Sequence, residues 1–438
     1  MPFPTHSSKL CSFSLDGEQY TVSMMGSTAL CHGAATPMTL SKPSTDDAAR
    51  TRDPQRVVLV GGGHAHVQIL DSWAANPPRG AQLTLVVDDE KSVYSGLVPG
   101  LLAGDYDLAQ ATISLGSLAR RCGASLVLGR VQRVNGARKR VELESGDSVP
   151  YDLASLNIGS TVRGEDLPGV AAHALPTRPI GEFARRSSER LHAIVRDRAA
   201  NSVAKPLRVV IVGAGAAGVE LAFTVHHRLT REGGAAQVVV ACGPAGVLPG
   251  YGRHVRHLIE REAARREIVF AATTQVTEVS ENAVVFSNGT LRADLVLWAT
   301  GAAPPSLLAA SALPRGRQGF LRVASTLAVP GHAGLFAVGD CASVAGVDGA
   351  QDVAKAGVHA VRAGPVLDAN LRASLCGAPL TEFRPQRHFL SLLNLGGGRA
   401  LATKWGLAAT GRLPWILKDR IDRGFVERYR EVDSNRNA

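Results

Sequence analysis

Short apolar runs that end in glycine recur along the chain, and each precedes a stretch with helical spacing. Val57–Val60 runs into Gly61, Gly62 and Gly63 and then HAHVQIL. Leu207–Val212, interrupted only by Arg208, runs into GAGAAGVELA. Four or five apolar residues bounded by glycine predict a strand covered on both faces, and the alanine- and leucine-rich continuation predicts a helix. The second unit places Gly213, Gly215 and Gly218 at the turn. Gly213 permits a sharp turn, Gly215 lets the backbone approach a pyrophosphate, and Gly218 lets helix and strand pack closely. The phosphates would meet the free N–H groups at the helix start. The first unit repeats this with Gly61 and Gly63, but His66 stands at the third glycine place.

Further apolar runs follow both units. LTLVVDD (Leu83–Asp89) is a second strand ending in acid, and Asp88, with Asp89 as fallback, is placed to hold an adenine ribose hydroxyl. VYSGLVPGLLAGDY (93–106) reads as loop and turn, and 120–149 as short β-strands with turns at Asn135-Gly136 and Ser145-Gly146. YDLASLNIGST (151–161) predicts a buried strand ending at Gly159, where backbone can pass close to a ligand. A helix rich in arginine is expected from 176 to about 200. AQVVVACG ends in Cys242 and Gly243, with no carboxylate and no immediate arginine, so NAD and NADP are not distinguished there. Residues 268–286 read as a small meander, and DLVLWATGAAP as a strand ending at Gly301. GLFAVGDCASV delivers Gly339 and Asp340 to a strand end, where the Asp can accept a cofactor hydroxyl. From 355 to 371 the chain reads as helix, broken at Gly364-Pro365. Hairpin-like strands around 396–398 precede LPWILKDRIDRGFVERY, an amphipathic helix. Docking on its own protein is preferred to a membrane surface, because Asp419, Asp422 and Glu427 dilute its basic face.

Composition changes this picture little. The 438 residues suffice for two or three domains, and 45% hydrophobic with 20% charged residues is ordinary for a globular chain. A net charge of +10 suits anionic cofactors or an acidic surface, but no zinc-finger spacing or aromatic RNA motif accompanies it, so nucleic acid is not expected. The six cysteines form no CxxC or CxxxxC pair, which argues against a redox dithiol. His64 and His66 lack a third ligand, so no metal site is expected, and His64 is read as packing beside phosphate. Residues 1–53 have no periodicity and no secretory pattern, and read as a tail or upstream extension, with organelle targeting left open.

GGGHAHV, GAGAAGVELA, ATG at 299–301 and VGD at 338–340, in this order, resemble the two-dinucleotide-binding-domain flavoproteins of the pyridine nucleotide-disulfide oxidoreductase superfamily. The missing dithiol and the YSGLVPGLLAG loop resemble its type II NADH dehydrogenase branch. More narrowly, KAGVHAVRAGP, FRPQRHFL and LKDRIDRGF resemble the NADH dehydrogenase-like flavoprotein found joined to selenide, water dikinase. The resemblance implies an α/β fold: two Rossmann-like domains with three-layer sheets, the NAD(P)-binding domain inserted into the FAD-binding domain, and a small C-terminal α+β region. The boundaries expected are 54–175 and 317–385 for FAD, 176–316 for NAD(P)H, and 386–438 for the tail. It implies FAD held by Gly61, Gly62, Gly63, His64, Asp88, Gly159, Gly339 and Asp340, and NAD(P)H by Gly213, Gly215, Gly218 and Gly301. Glu220 would stand beside the nicotinamide, and Lys355 near the flavin. Electrons would pass to a small acceptor, a quinone first. A reductase of sulfur or selenium compounds and a non-enzymatic redox sensor are the alternatives. A homodimer, a cytoplasmic location and a peripheral membrane contact through the last helix complete the expectations.

Overall fold

The computed structural model describes residues 53–201, 205–272, 275–344, 353–386 and 388–430, with the strands Cys11–Leu15 and Glu18–Val22. Those two strands pair antiparallel as a unit of their own. The expectation for residues 1–53 otherwise lies outside the described residues.

Two five-stranded parallel sheets carry the rest, and both are built alike. In the first, the order is Leu335–Ala337, Leu153–Leu156, Gln55–Val60, Ala81–Val87, Ser125–Leu128. In the second it is Ala174–Pro176, Leu295–Trp298, Leu207–Val212, Ala236–Cys242, Val269–Ala272. Each glycine-ended strand is central, and its last four residues are buried. Burying such Val, Leu and Ile side chains is worth about 1.5–3 kcal/mol each, which explains their unbroken apolar runs. From these strands the chain turns into the helices His64–Ala75 and Ala216–Arg228. All strands of the second sheet fall, in sequence, between the fourth and last strands of the first.

Several segments differ from expectation. SLVLGRVQRV divides at Gly129: Ser125–Leu128 joins the first parallel sheet, and Val131–Asn135 opens an antiparallel meander with Arg140–Leu143 and Ser148–Pro150. Leu115–Arg121 is a helix, capped by Ser114, whose hydroxyl accepts from Ser117 N–H. The loop expected at 93–106 contains the buried helix Val98–Ala103, which Pro99 tolerates because it lies in the first turn. Val269–Ala272 is the edge of the second parallel sheet rather than part of a meander, which begins at Val276. Gly357–Cys376 is one helix despite Pro365. Gly364 brings it against Ala65, so packing on the helix His64–Ala75 offsets the lost hydrogen bond.

The tail is a meander, Ser391–Asn394, Ala400–Lys404 and Leu407–Gly411, followed by the helix Arg412–Arg428. No helix among the described residues is long and apolar enough to cross a membrane.

Candidate functional site

A cleft of about 2560 Å³ runs along the carboxyl ends of both sheets. A single small-molecule pocket occupies about 300–1,000 Å³, so this cleft has room for more than one ligand. Gly61–His64, Asp88, Gly159, Gly213, Gly215, Glu220, Gly301, Asp340 and Lys355 all line it. Gly218 and Gly339 act from behind, as backbone spacers.

In the first cradle Gly61 turns with φ +90°, and the helix begins after Gly63 with no side-chain cap from that residue. Asn157, at the end of Leu153–Leu156, supplies the support. Its Oδ1 accepts from Ala65 N–H at 3.1 Å, and its Nδ2 donates to Val338 O at 3.0 Å. A Cβ on Gly63 would overlap that amide. His66 is fully buried, with Nδ1 2.7 Å from Gly61 O and Nε2 2.9 Å from Ser155 Oγ. A carbonyl only accepts, so Nδ1 carries the proton and Nε2 accepts from the serine. Burial pushes its pKa down to about 4, against the Gly61 carbonyl. Asp89 is occupied by Lys91 N–H, whereas Asp88 is exposed on the cleft rim.

The second cradle is emptier. Gly213 turns with φ +110°, and a Cβ on Gly218 would overlap the Gly213 carbonyl oxygen. Around Gly215 nothing lies within 4 Å of where a Cβ would stand. This is the open space over uncapped helix N–H groups that a pyrophosphate needs. The same openness is found at Gly159, with φ +70°. These features fit two dinucleotides.

Asp340 stands at the far wall, where Arg178 forms a close ion pair with it and donates to Ser160. Lys355 precedes the helix that starts at Gly357. Its ammonium donates to Ala342 O and lies 4.2 Å from the Phe320 ring centroid. Cys341 beside Asp340 is buried, bonded toward Leu156 O and Val338 O, and burial pushes its thiol up to about 11. It packs as a small apolar side chain.

The remaining wall comes from the tail. Lys418, on the last helix, reaches Asp422 at 2.8 Å, Gly96 O at 3.1 Å and Glu220 at 3.8 Å. Glu220 Oε1 also accepts from Asn394 N–H at 2.7 Å. Burial pushes the Glu220 carboxyl up, opposed by Lys418; burial alone would lower Lys418, but Glu220 and Asp422 outweigh it and raise it. Tyr94 donates to Asp422 at 3.3 Å, and its ring stacks on Phe425 at 4.4 Å. His64 sits 5.0 Å from Tyr94 and 5.7 Å from Phe425, and burial lowers its pKa. The helix is docked through a face of mixed character: Lys418, Asp422 and Val426 are buried, while Leu413, Ile416, Leu417 and Ile421 are 79%, 45%, 42% and 47% exposed. The preference for docking therefore describes only one of its faces.

Sequence reasoning missed Asn157, Arg178, Lys418 and Asp422. Asn157 resembled a loop residue in NIGS; a polar side chain directly after a four-residue apolar strand was the available signal. Arg178 gave none, since its partners are distant in sequence; Lys418 and Asp422 pair four residues apart, but Glu220, Gly96 and Tyr94, which set them in the cleft, are distant.

The family model for pyridine nucleotide-disulphide oxidoreductases matches residues 55–364. An alternative NAD(P)H-ubiquinone oxidoreductase of Arabidopsis thaliana is 27% identical, covering 82% of this chain and 74% of that one. A type II NADH:quinone oxidoreductase of Haemophilus influenzae is 23% identical over 66% of this chain and 74% of its own. Among solved structures, sulfide:quinone oxidoreductase of Aquifex aeolicus shares the fold with a TM-score of 0.71 at 17% identity, over 86% and 91% of the two chains. NDH2 of Plasmodium falciparum in complex with NADH gives 0.70 at 14%, over 86% and 97%. With the match spanning both cradles, the chain belongs to the pyridine nucleotide-disulphide oxidoreductase family, as an FAD- and NAD(P)H-using oxidoreductase of its NADH dehydrogenase-like branch.

Proposed function

We propose that this enzyme takes hydride from NAD(P)H and passes electrons from FAD directly to a quinone, beside a membrane surface touched by the helix Arg412–Arg428. The observation that carries this is the helix itself. It turns Lys418 and Asp422 inward and leaves Leu413, Ile416, Leu417 and Ile421 exposed, while Ile421 and Phe425 line the cleft. An apolar acceptor held in lipid would meet this surface first. Arg412, Arg420 and Arg423 on the same helix suit anionic headgroups. The Arabidopsis and Haemophilus relatives, named as quinone reductases, support the same class of acceptor.

Bound FAD supplies the two-electron chemistry; the chain supplies position and charge. The two glycine turns would hold both cofactors along one cleft, where hydride transfer would be effectively intramolecular. Glu220 lies on the second cradle's helix and is proposed to hold or release a proton there. Burial raises the Glu220 carboxyl against the pull of Lys418, and the negative charge of Asp422 adds to the rise, which favours retention of a proton on Glu220. Lys355 holds the strand after Asp340 to the start of the Gly357 helix. Among the described residues, no two of Cys122, Cys242, Cys341 and Cys376 are joined in a disulfide.

The test is anaerobic bleaching of the flavin by NADH and by NADPH, followed by reoxidation with quinones and with selenite or polysulfide. Rapid reoxidation by quinones is expected; reoxidation by the chalcogen compounds alone would overturn the reading. Flotation with anionic vesicles is expected to retain the protein. Replacing Leu413, Ile416, Leu417 and Ile421 together by serine should release it.

A further inference from the structure

Arg178 lies between the strand Ala174–Pro176 and the helix Ile180–Asn201, both of which belong to the second sheet's layers. Its side chain leaves that half and enters the wall of the first cradle. One guanidinium nitrogen donates to Ser160 Oγ and to Asp340 Oδ2, and the other lies 3.5 Å from Lys355 O. These acceptors come from three segments: the end of Leu153–Leu156, the turn after Leu335–Ala337, and the approach to the Gly357 helix. Arg178 and Asp340 side chains are 27% and 18% exposed, so the pair is partly shielded from water. A surface arginine would sample many rotamers; one held by three acceptors has a fixed orientation. The guanidinium in turn fixes the carboxylate it meets. Only Oδ2 of Asp340 is engaged among the described residues, which leaves Oδ1 as an acceptor on a residue that lines the cleft.

We propose that Arg178 is a positioning residue for FAD, which orients Asp340 so that its second oxygen accepts a ribityl hydroxyl. The cofactor wall is thereby braced from the nucleotide-binding half of the molecule. The proposal concerns cofactor retention and is independent of the electron acceptor.

The experiment measures FAD dissociation from apoprotein by fluorescence quenching, and visible circular dichroism of the bound flavin, in Arg178→Gln, Arg178→Lys, Asp340→Asn and the double variant Arg178→Gln/Asp340→Asn. Loss of a charged hydrogen bond predicts about tenfold to hundredfold weaker FAD binding in Arg178→Gln, with an altered dichroism spectrum. Arg178→Lys keeps the charge without the fork and should fall between Gln and wild type. Because Arg178 acts through Asp340, the double variant should bind FAD about as weakly as Asp340→Asn alone. Additive losses in the double variant would overturn the proposal, as would a lower Tm with unchanged affinity and dichroism. If Arg178→Gln gives no folded apoprotein, FAD release from diluted Arg178→Lys holoenzyme decides: faster release than wild type is expected, and release at the wild-type rate refutes it.

Discussion

The two cradles share one plan and are finished differently. In the second, the turn is shaped by backbone alone: Gly218 presses on the Gly213 carbonyl, and the space over Gly215 is open. In the first, side chains complete the same turn. Asn157 bonds the helix start and Val338, and His66 bonds the Gly61 carbonyl where glycine would otherwise stand. A buried polar network is rigid when fully satisfied and costly when broken. The first cradle is thus suited to a cofactor that stays, and the second to a nucleotide that enters and leaves at each turnover. A glycine fingerprint thus specifies a turn, and what fills the space behind it differs between the two cradles.

The most damaging way to separate the cradles is Gly218→Val. Its side chain must displace backbone, so flavin bleaching by NADH is expected to slow by more than about 100-fold, with FAD content kept. Equal loss of FAD would show that the cradles are not independent. The converse change, Asn157→Ala, removes side-chain bonds to the helix start and to Val338, just after the strand Leu335–Ala337. It should cost about 3 kcal/mol in thermal or denaturant unfolding, and lower FAD occupancy while leaving nucleotide affinity in the remaining holoenzyme nearly unchanged.

The cradles should also respond to pH in opposite senses. His66 has its pKa depressed to about 4 by burial, so its stabilising effect is present above the unfolded value near 6.5 and is lost as pH falls toward 4. The linkage amounts to roughly 3 kcal/mol, and FAD release followed by fluorescence should rise over that window, less so in His66→Gln. Glu220 has its carboxyl raised by burial, so its contribution is greatest in acid and is lost as pH rises through that raised value. Relative to Glu220→Gln, wild-type stability should therefore decline with increasing pH. Denaturant midpoints measured across the acid and neutral range would check the slope. The smallest expected effect is Gly243→Asp, which restores an acid at the end of Ala236–Cys242. It should shift the NADH over NADPH preference by about tenfold in bleaching rate.

Both glycine turns, the strands feeding them and the Asp340 turn were legible because each is local: an apolar run, a glycine spacing, a helix. The edge strand Ser125–Leu128 was not, since its four residues continue without a break into SLVLGRVQRV and only the neighbouring strand Ala81–Val87 decides where it pairs. The last helix was legible as amphipathic but its orientation was not. Charges on such a helix ordinarily face water; here Lys418 and Asp422 face inward because Glu220, Gly96 and Tyr94 await them. Arg178 was invisible for the same reason, and Asn157 showed only as a polar residue after an apolar strand: their partners lie as far as 177 and 181 positions away.

That the first sheet closes with Leu335–Ala337 has a consequence for biosynthesis. On the ribosome, Leu153–Leu156 emerges with one edge bare and must wait for the whole intervening sheet to be translated before its neighbour arrives. Asp340 comes three residues after that neighbour, so if it holds FAD as proposed, capture of the yellow cofactor comes late in the life of the nascent chain. A polypeptide stalled before residue 335 would have both glycine turns and still lack the strand that closes the first sheet.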